Sequence, residues 1–250
     1  MPRPTQAFID LSALAHNLGV VRQYVPRSRI MAVVKADAYG HGLLHTASAL
    51  KDVDGFALLE LDAAISLRDA GYQQPILLLE GFFSTEELAL FEQYRLSAVI
   101  HHSEQIAMLS DSKHHNLDLF LKINTGMNRL GLAPEQFPQI MKALTDHPGI
   151  DSITLMTHFA SADDPLEEDE VFQQLQYFEA ITQNHKYPHS LANSAAIIRY
   201  PVTHADWVRP GIMLYGASPF ADKTASELNL KPVMTLSSKI IAIHDLKIGD

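Results

Sequence analysis

A chain of 250 residues is long enough to bury a sizeable core, and it accommodates either two average domains or one β/α barrel. With 29 acidic against 19 basic residues the formal net charge is -10, which excludes a broad electrostatic grip on nucleic acid or anionic lipid and leaves room for a local basic pocket only. The absence of cysteine excludes disulfides, thiolate zinc sites and cysteine nucleophiles. The start, MPRPTQAFID, lacks the charged-then-apolar pattern of a signal peptide, and no run approaches the roughly 18 apolar residues of a membrane span, so a cytoplasmic protein is expected.

Residues 1–10 read as an N-terminal strand or arm. Leu11, Leu14, Ala15, Leu18, Val21 and Val25 then recur at helical spacing behind Asp10 and Ser12, either of which offers an N-cap oxygen. The run 30–34, Ile-Met-Ala-Val-Val, is too short for a helix and rich in β-branched side chains, as in a strand buried on both faces. The unit repeats. Strand-like runs at 55–59, 75–79, 97–100, 117–123, 150–156, 189–192 and 207–209 alternate with helical stretches such as 84–94, 134–145 and 171–184, giving eight strands in all.

Alternating strand and helix predicts a parallel sheet, because each crossover returns the chain to the same end. Eight such units over 11–216 predict an α/β fold of the closed (β/α)8 TIM-barrel type; the alternative, an open doubly wound sheet, lacks its usual G-x-G-x-x-G turn. After Gly216 the pattern changes. Residues 217–231 are loop-like, and 233–243 alternate in the manner of a half-buried antiparallel strand. The segment 217–250 is therefore expected to be a linker and the first strand of a C-terminal β domain. A lone strand has no ladder partner, which predicts that the chain is a truncated piece.

In β/α barrels the working residues follow the strands at the C-terminal rim. The first barrel strand runs into Lys35, and a lysine behind a buried apolar strand has a desolvated ammonium, a lowered pKa and a free amine for Schiff-base chemistry. For a lone lysine the bland reading, snorkelling to solvent, would prevail. Ser194 and Gly211-Ile212, after the seventh and eighth strands, reverse that prior, because barrels often build a phosphate site there. A carbonyl cofactor with a phosphate tail satisfies both ends.

The run Ala32-Val33-Val34-Lys35-Ala36-Asp37-Ala38-Tyr39-Gly40-His41-Gly42 resembles the pyridoxal-phosphate attachment signature of alanine racemases, enzymes of fold type III. The resemblance continues in order through 122–131 (KINTGMNRLG), 157–160 (THFA), 192–194 (ANS) and 208–216 (VRPGIMLYG), spanning nearly the whole chain. It implies pyridoxal 5'-phosphate as cofactor and alanine as substrate. By the same resemblance Lys35 forms the Schiff base and acts as the base on D-alanine, while Tyr39, Asn193, Ser194, Gly211 and Ile212 belong to the cofactor site, with Tyr39, Ser194, Gly211 and Ile212 on the phosphate. Arg209 would face the pyridine nitrogen, with His158 in the polar network beside it, and Arg129 would bind the substrate carboxylate. Lys122 matches a position carbamylated in some relatives, and Asn124 stands in a turn where relatives commonly have aspartate. The family's second base is a tyrosine of the C-terminal domain donated across a homodimer interface. No tyrosine follows Tyr215, so this chain alone is expected to lack two-base racemisation.

Other signals read as structural. The pairs His101-His102 and His114-His115 lack carboxylate partners at ligand spacing and are expected to be surface histidines, with no metal site. The acidic run 163–170 fits a helix start, Phe82-Phe83 fits the core, and Trp207 fits either the barrel interior or a contact with the C-terminal domain. Two rival functions stand beside the racemase: a non-catalytic single-domain pyridoxal-phosphate carrier, and a decarboxylase of the same fold. The carriers lack the Tyr39-Gly40-His41-Gly42 pattern. The decarboxylases generally offer glutamate to the pyridine nitrogen where this chain has Arg209.

Overall fold

The computed structural model describes residues 3–110 and 116–250; His114 and His115 lie outside them. The chain runs β1 (Gln6–Ile9), α1 (Leu11–Tyr24), β2 (Arg29–Val33), α2 (Lys35–Gly40), α3 (Leu43–Ala49), β3 (Gly55–Leu58), α4 (Leu61–Asp69), β4 (Ile76–Leu78), α5 (Glu87–Gln93) and β5 (Ser97–Ile100). It continues with α6 (Ser103–Ser110), β6 (Leu117–Lys122), α7 (Phe137–Thr145), β7 (Ile150–Met156), α8 (Glu168–Thr182), β8 (His189–Asn193), α9 (Ser194–Arg199), β9 (Trp207–Arg209) and β10 (Met234–Ser237). Strands β2 to β9 close into a parallel eight-stranded barrel, with β2 paired to both β3 and β9.

Two apolar cores follow from strand alternation, which sends successive side chains to opposite faces. Inside the barrel, Met31, Val33, Ala57, Leu77, Val99, Phe120, Met156 and Trp207 pack together. Outside it, Ile30, Ala32, Phe56, Leu58, Ile76, Leu78, Ile100 and Leu121 pack against the helices in a larger core. Trp207 thus belongs to the interior. Phe82 is buried edge-on to Phe91, whereas Phe83 is exposed, contrary to its expected place in the core.

Asp10 caps α1 as expected, its carboxylate accepting from the N–H groups of Ser12 and Ala13. The acidic run begins its helix earlier than expected, with Glu168, Asp169 and Glu170 in the first turn of α8, where negative charge complements the helix dipole. Helix α5 is shorter than 84–94. The stretch 134–145 divides into a 3-10 turn, Pro134–Gln136, and α7.

The strand expected at 233–243 is confined to β10, and it is not alone. It pairs antiparallel with β1, Gln6 opposite Ser237 and Ile9 opposite Met234. The N-terminal arm supplies the ladder partner, and apolar alternation ends at Lys239-Ile240-Ile241, beyond which the chain is exposed and carries no strand or helix.

The segment after the barrel is tied to it by Asn17, a fully buried side chain on α1. Its Nδ2 donates to the carbonyls of Leu214 and Lys231, both at 2.9 Å, and its Oδ1 accepts from the Lys231 N–H at 2.8 Å. Close approach is obligatory, because a Cβ at Gly216 would stand 1.9 Å from the Lys231 carbonyl oxygen. Replacing Asn17 by Ala strands these backbone groups in the core, so Asn17→Ala is expected to lower unfolding stability by about 2–3 kcal/mol. A denaturant titration checks this; an unchanged midpoint would contradict it.

Candidate active site

The C-terminal ends of the barrel strands open into a cavity of about 630 Å³ that draws residues from nearly every strand-to-helix loop. Lys35, Tyr39, Lys122, Arg129 and His158 meet there with Asn193, Ser194, Arg209, Gly211 and Ile212, so all ten residues expected at the site share one chamber. Glu80, Leu59, Leu79 and Met156 line it too, and sequence reasoning missed them. A carboxylate in a strand-end loop that faces a basic cluster was the available signal for Glu80.

Lys35 opens a turn that no sequence pattern announces. Ala36, Asp37, Ala38 and Tyr39 all lie in the left-handed region, with φ between 51° and 55°. Each such non-glycine residue costs roughly 1–2 kcal/mol, so four in a row persist only because their surroundings over-determine them. Ala38 N–H donates to the Val34 carbonyl, Gly42 N–H to the Asp37 carbonyl, and the Asp37 carboxylate accepts from Leu43 N–H at 2.7 Å. Tyr39 stacks on Tyr215, ring centroids 4.7 Å apart, and Tyr215 donates to the Val33 carbonyl. The turn brings Lys35 Nζ within 6.0 Å of the Tyr39 ring centroid and sets the Tyr39 hydroxyl against Gly211. A Cβ there would lie 2.7 Å from that hydroxyl, so only glycine leaves the space open. Ser194 accepts from Gly211 N–H at 2.9 Å, completing a small cradle of hydroxyls and backbone amides. Asn193 Oδ1 accepts from Ala196 N–H and holds the start of α9.

Arg209 is almost fully buried, and burial pulls its pKa down to about 10. Its NH1 donates to the carbonyl and hydroxyl of Ser190, both at 2.7 Å, and its NH2 to the Thr157 carbonyl at 2.8 Å. Those bonds leave Nε as its uncommitted donor. NH2 also approaches His158 Nδ1 at 3.4 Å; because arginine only donates, Nδ1 accepts and the imidazole proton sits on Nε2. Burial, reinforced by Arg209 and Lys122, holds His158 well below the ordinary histidine range, so the ring is neutral.

The buried lysine is Lys122, not Lys35, which is only half-buried. Desolvation first, then Arg209 and Arg129, lower Lys122 to about 8, opposed by the charge of Glu80. The expected desolvation thus falls on the neighbour. Among the described residues the exposed Arg129 guanidinium makes no hydrogen bond or ion pair and is free for an anion. Asn124 builds the loop that carries it: its Oδ1 accepts from the N–H groups of Gly126 and Asn128, and its Nδ2 donates to Asn128 Oδ1. An aspartate would lack that last donor. Gln174, buried on α8, ties this loop to the next by donating to Thr125 Oγ1 and the His158 carbonyl, an amide clamp invisible to periodicity. His101 is half-buried rather than a surface residue. Its Nε2 donates to the Glu80 carbonyl, and burial lowers its pKa.

Comparison with known proteins agrees with this geometry. The family model "Alanine racemase, N-terminal domain" matches residues 9–219. The chain belongs to the alanine racemase family. It is 58% identical over 251 residues to the alanine racemase of Nitrosospira multiformis and 60% identical over 253 residues to that of Nitrosomonas europaea, covering all of this chain and 70% of the length of each relative. The crystal structure of the biosynthetic alanine racemase from Pseudomonas aeruginosa superposes with a TM-score of 0.90 at 42% identity, covering 94% of this chain and 66% of that one. The structure of alanine racemase from Acinetobacter baumannii superposes with a TM-score of 0.90 at 40% identity, covering 98% and 73%. Among the described residues no cluster of histidines and carboxylates is arranged to hold a metal, and no helix is long and apolar enough to cross a membrane.

Within this racemase site, the burial of Lys122 has a thermodynamic signature. Its folded pKa of about 8 lies below the ordinary 10.5, so between those values the unfolded chain holds the extra proton and stability rises with pH. Below about pH 8 the full penalty of the buried ammonium is present. Lys122→Met in cofactor-free protein is therefore expected to raise Tm by on the order of 5 °C at pH 7, with the gain fading toward pH 10.5. Thermal unfolding of both proteins across that range checks it. A pH-independent difference would contradict the assignment.

Proposed function

We propose that the chain carries the pyridoxal-phosphate site of an alanine racemase and works in the interconversion of L- and D-alanine. The observation that carries this reading is the convergence of Lys35, at the end of β2, with an anion cradle at Tyr39, Ser194 and Gly211 in one cavity. The space kept open by Gly211 and the hydroxyls around it fit a phosphate, and the half-buried Lys35 amine fits the carbonyl at the other end of the same molecule. Tyr39, Ser194, Gly211 and Ile212 hold the phosphate; Asn193 and His158 belong to the wall around the ring.

When bound, the cofactor supplies the electron sink that makes the Cα–H bond of alanine acidic. The protein does the rest. Arg129 takes the substrate carboxylate in its planar fork and orients the Cα–H bond toward one face. The Lys35 amine removes the proton of D-alanine from that face and returns it in the reverse direction. Arg209, with Nε its uncommitted donor, would lie beside the cofactor's pyridine nitrogen, and because an arginine only donates it would disfavour protonation there and make the cofactor a weaker electron sink. His158, neutral and accepting from Arg209, fixes that guanidinium without adding charge. Lys122, whose pKa burial lowers to about 8, is the candidate for carbamylation, which would give Arg129 an anionic partner.

The division proposed is an N-terminal arm over 1–10, a cofactor barrel over 11–216, and a linker with the start of a β-rich unit over 217–250. Pairing of β1 with β10 supports placing the arm with that last segment. In the whole protein a second base, a tyrosine of the β-rich domain of a homodimer partner, would serve the opposite face. A cytoplasmic enzyme of this kind supplies D-alanine for peptidoglycan or feeds alanine catabolism, according to which enantiomer is in excess.

Borohydride reduction of the cofactor-loaded protein followed by peptide mapping is expected to place the label on Lys35. Ser194→Ala and Tyr39→Phe are each expected to weaken cofactor affinity by about 1–3 kcal/mol in a titration. Label on Lys122 or Lys51, or unchanged affinity in both variants, would remove the proposal.

A further inference from the structure

We propose that the opposite, N-terminal mouth of the barrel is a second binding site, one that takes an α-amino acid with an apolar side chain as its zwitterion. This end of a β/α barrel ordinarily serves stability alone. Here it opens into a chamber of about 590 Å³.

The chamber follows from strand alternation. Arg29 shares the inward face of β2 with Met31 and Val33, Ser97 that of β5 with Val99, and Asp118 that of β6 with Phe120. At the foot of each strand the inward position has turned from apolar to polar. Ser97 and Thr154 line the chamber from largely buried residues, and among the described residues their hydroxyls make no side-chain hydrogen bond, leaving both open to the chamber. Each can hydrogen-bond to water or to a ligand that enters.

Charge identifies the occupant. The Arg29 guanidinium, on an exposed residue, lies 4.1 Å from the centroid of the Trp207 ring and among the described residues makes no side-chain hydrogen bond or ion pair, so its fork is open to a ligand. Strands β2 and β6 are four apart in the eight-stranded circuit, which sets Asp118 across the barrel from Arg29. Asp118 accepts from the Ser152 hydroxyl and among the described residues has no cationic partner. Asp151 is the other carboxylate of the lining, and Arg29 its one cation. A bare carboxylate would meet Arg29 but face two aspartates, and a bare amine would leave Arg29 unanswered. A molecule carrying both groups suits the two sides at once, its carboxylate on Arg29 and its ammonium on Asp118. Phe120, Trp207, Leu144, Ile150 and Ile153 offer the apolar wall for its side chain.

Trp207, the single tryptophan of the chain, lies in this chamber and reports on it directly. L-leucine is expected to give a saturable change in tryptophan emission, in the parent chain and in Lys35→Ala alike. Two analogues of the same shape, 4-methylpentanoate without the ammonium and 3-methylbutylamine without the carboxylate, are each expected to bind roughly tenfold more weakly or worse, as is leucine to Arg29→Met and Asp118→Asn. Circular dichroism confirms that the variants fold; if one does not, the ligand series on the parent chain decides. No saturable response to leucine would mean a chamber holding water only, and equal binding of 4-methylpentanoate would make it a carboxylate site; either overturns the proposal. Loss of the response in Lys35→Ala would place the binding at the other rim and overturn it equally.

Discussion

Positive charge gathered at the dry end of a packed barrel is the constraint on which the rest of the site depends. Lys35, Lys122, Arg129 and Arg209 share one rim, with Glu80 the carboxylate whose charge opposes theirs at Lys122. Desolvation alone would make such a cluster untenable. The parallel strands relieve part of it, because their C-terminal carbonyls point to the rim; Arg209 takes up those of Ser190, Leu191 and Thr157. One further adjustment keeps the charge down, since His158 stays neutral; Lys122, lowered to about 8, gives up its proton more readily than an ordinary lysine but still carries it at neutral pH. What remains uncompensated is an invitation to anions, and phosphate and substrate carboxylate are the anions that this family's chemistry brings.

Binding geometry also rests on stored backbone strain. The left-handed turn over Ala36–Tyr39 places a lysine and a tyrosine on the wall of the same cavity. A right-handed helix starting at the same lysine would carry Tyr39 away from Gly211. Tyr215 supports the turn from beneath, Asp37 ties it to the start of α3, and Gly211 leaves room for its hydroxyl. Such strain persists only where the surroundings over-determine it, as these contacts do.

Much of this was legible in the sequence for physical reasons. Parallel strands buried on both faces read as short apolar runs, so all eight barrel strands were found within a residue or two, and the rim residues followed from their ends. The turn after Lys35 was hidden, because alanine and aspartate carry no preference for four successive left-handed conformations. Glu80 was hidden because a single acid in a loop resembles any solvated carboxylate. Asn17 and Gln174 act through buried amides that bind backbone groups far away in the chain, and helical periodicity says nothing of such partners. The strand at 233–243 was over-read, since alternation alone cannot show where the ladder partner β1 stops.

Both mouths of the barrel are polar while its middle is apolar, so the interior cluster from Met31 to Trp207 acts as a septum between them. The chemistry proposed for the upper mouth has Lys35 serving a single face of the substrate carbon. The measurement that tests this most directly follows the α-hydrogen of each alanine enantiomer in heavy water with these 250 residues loaded with cofactor. With Lys35 as the base on its own face, D-alanine exchanges its α-hydrogen while exchange from L-alanine, and racemisation with it, is slower by about 10²–10⁴-fold. Equal exchange from both enantiomers, or exchange that survives Lys35→Ala, would contradict the account.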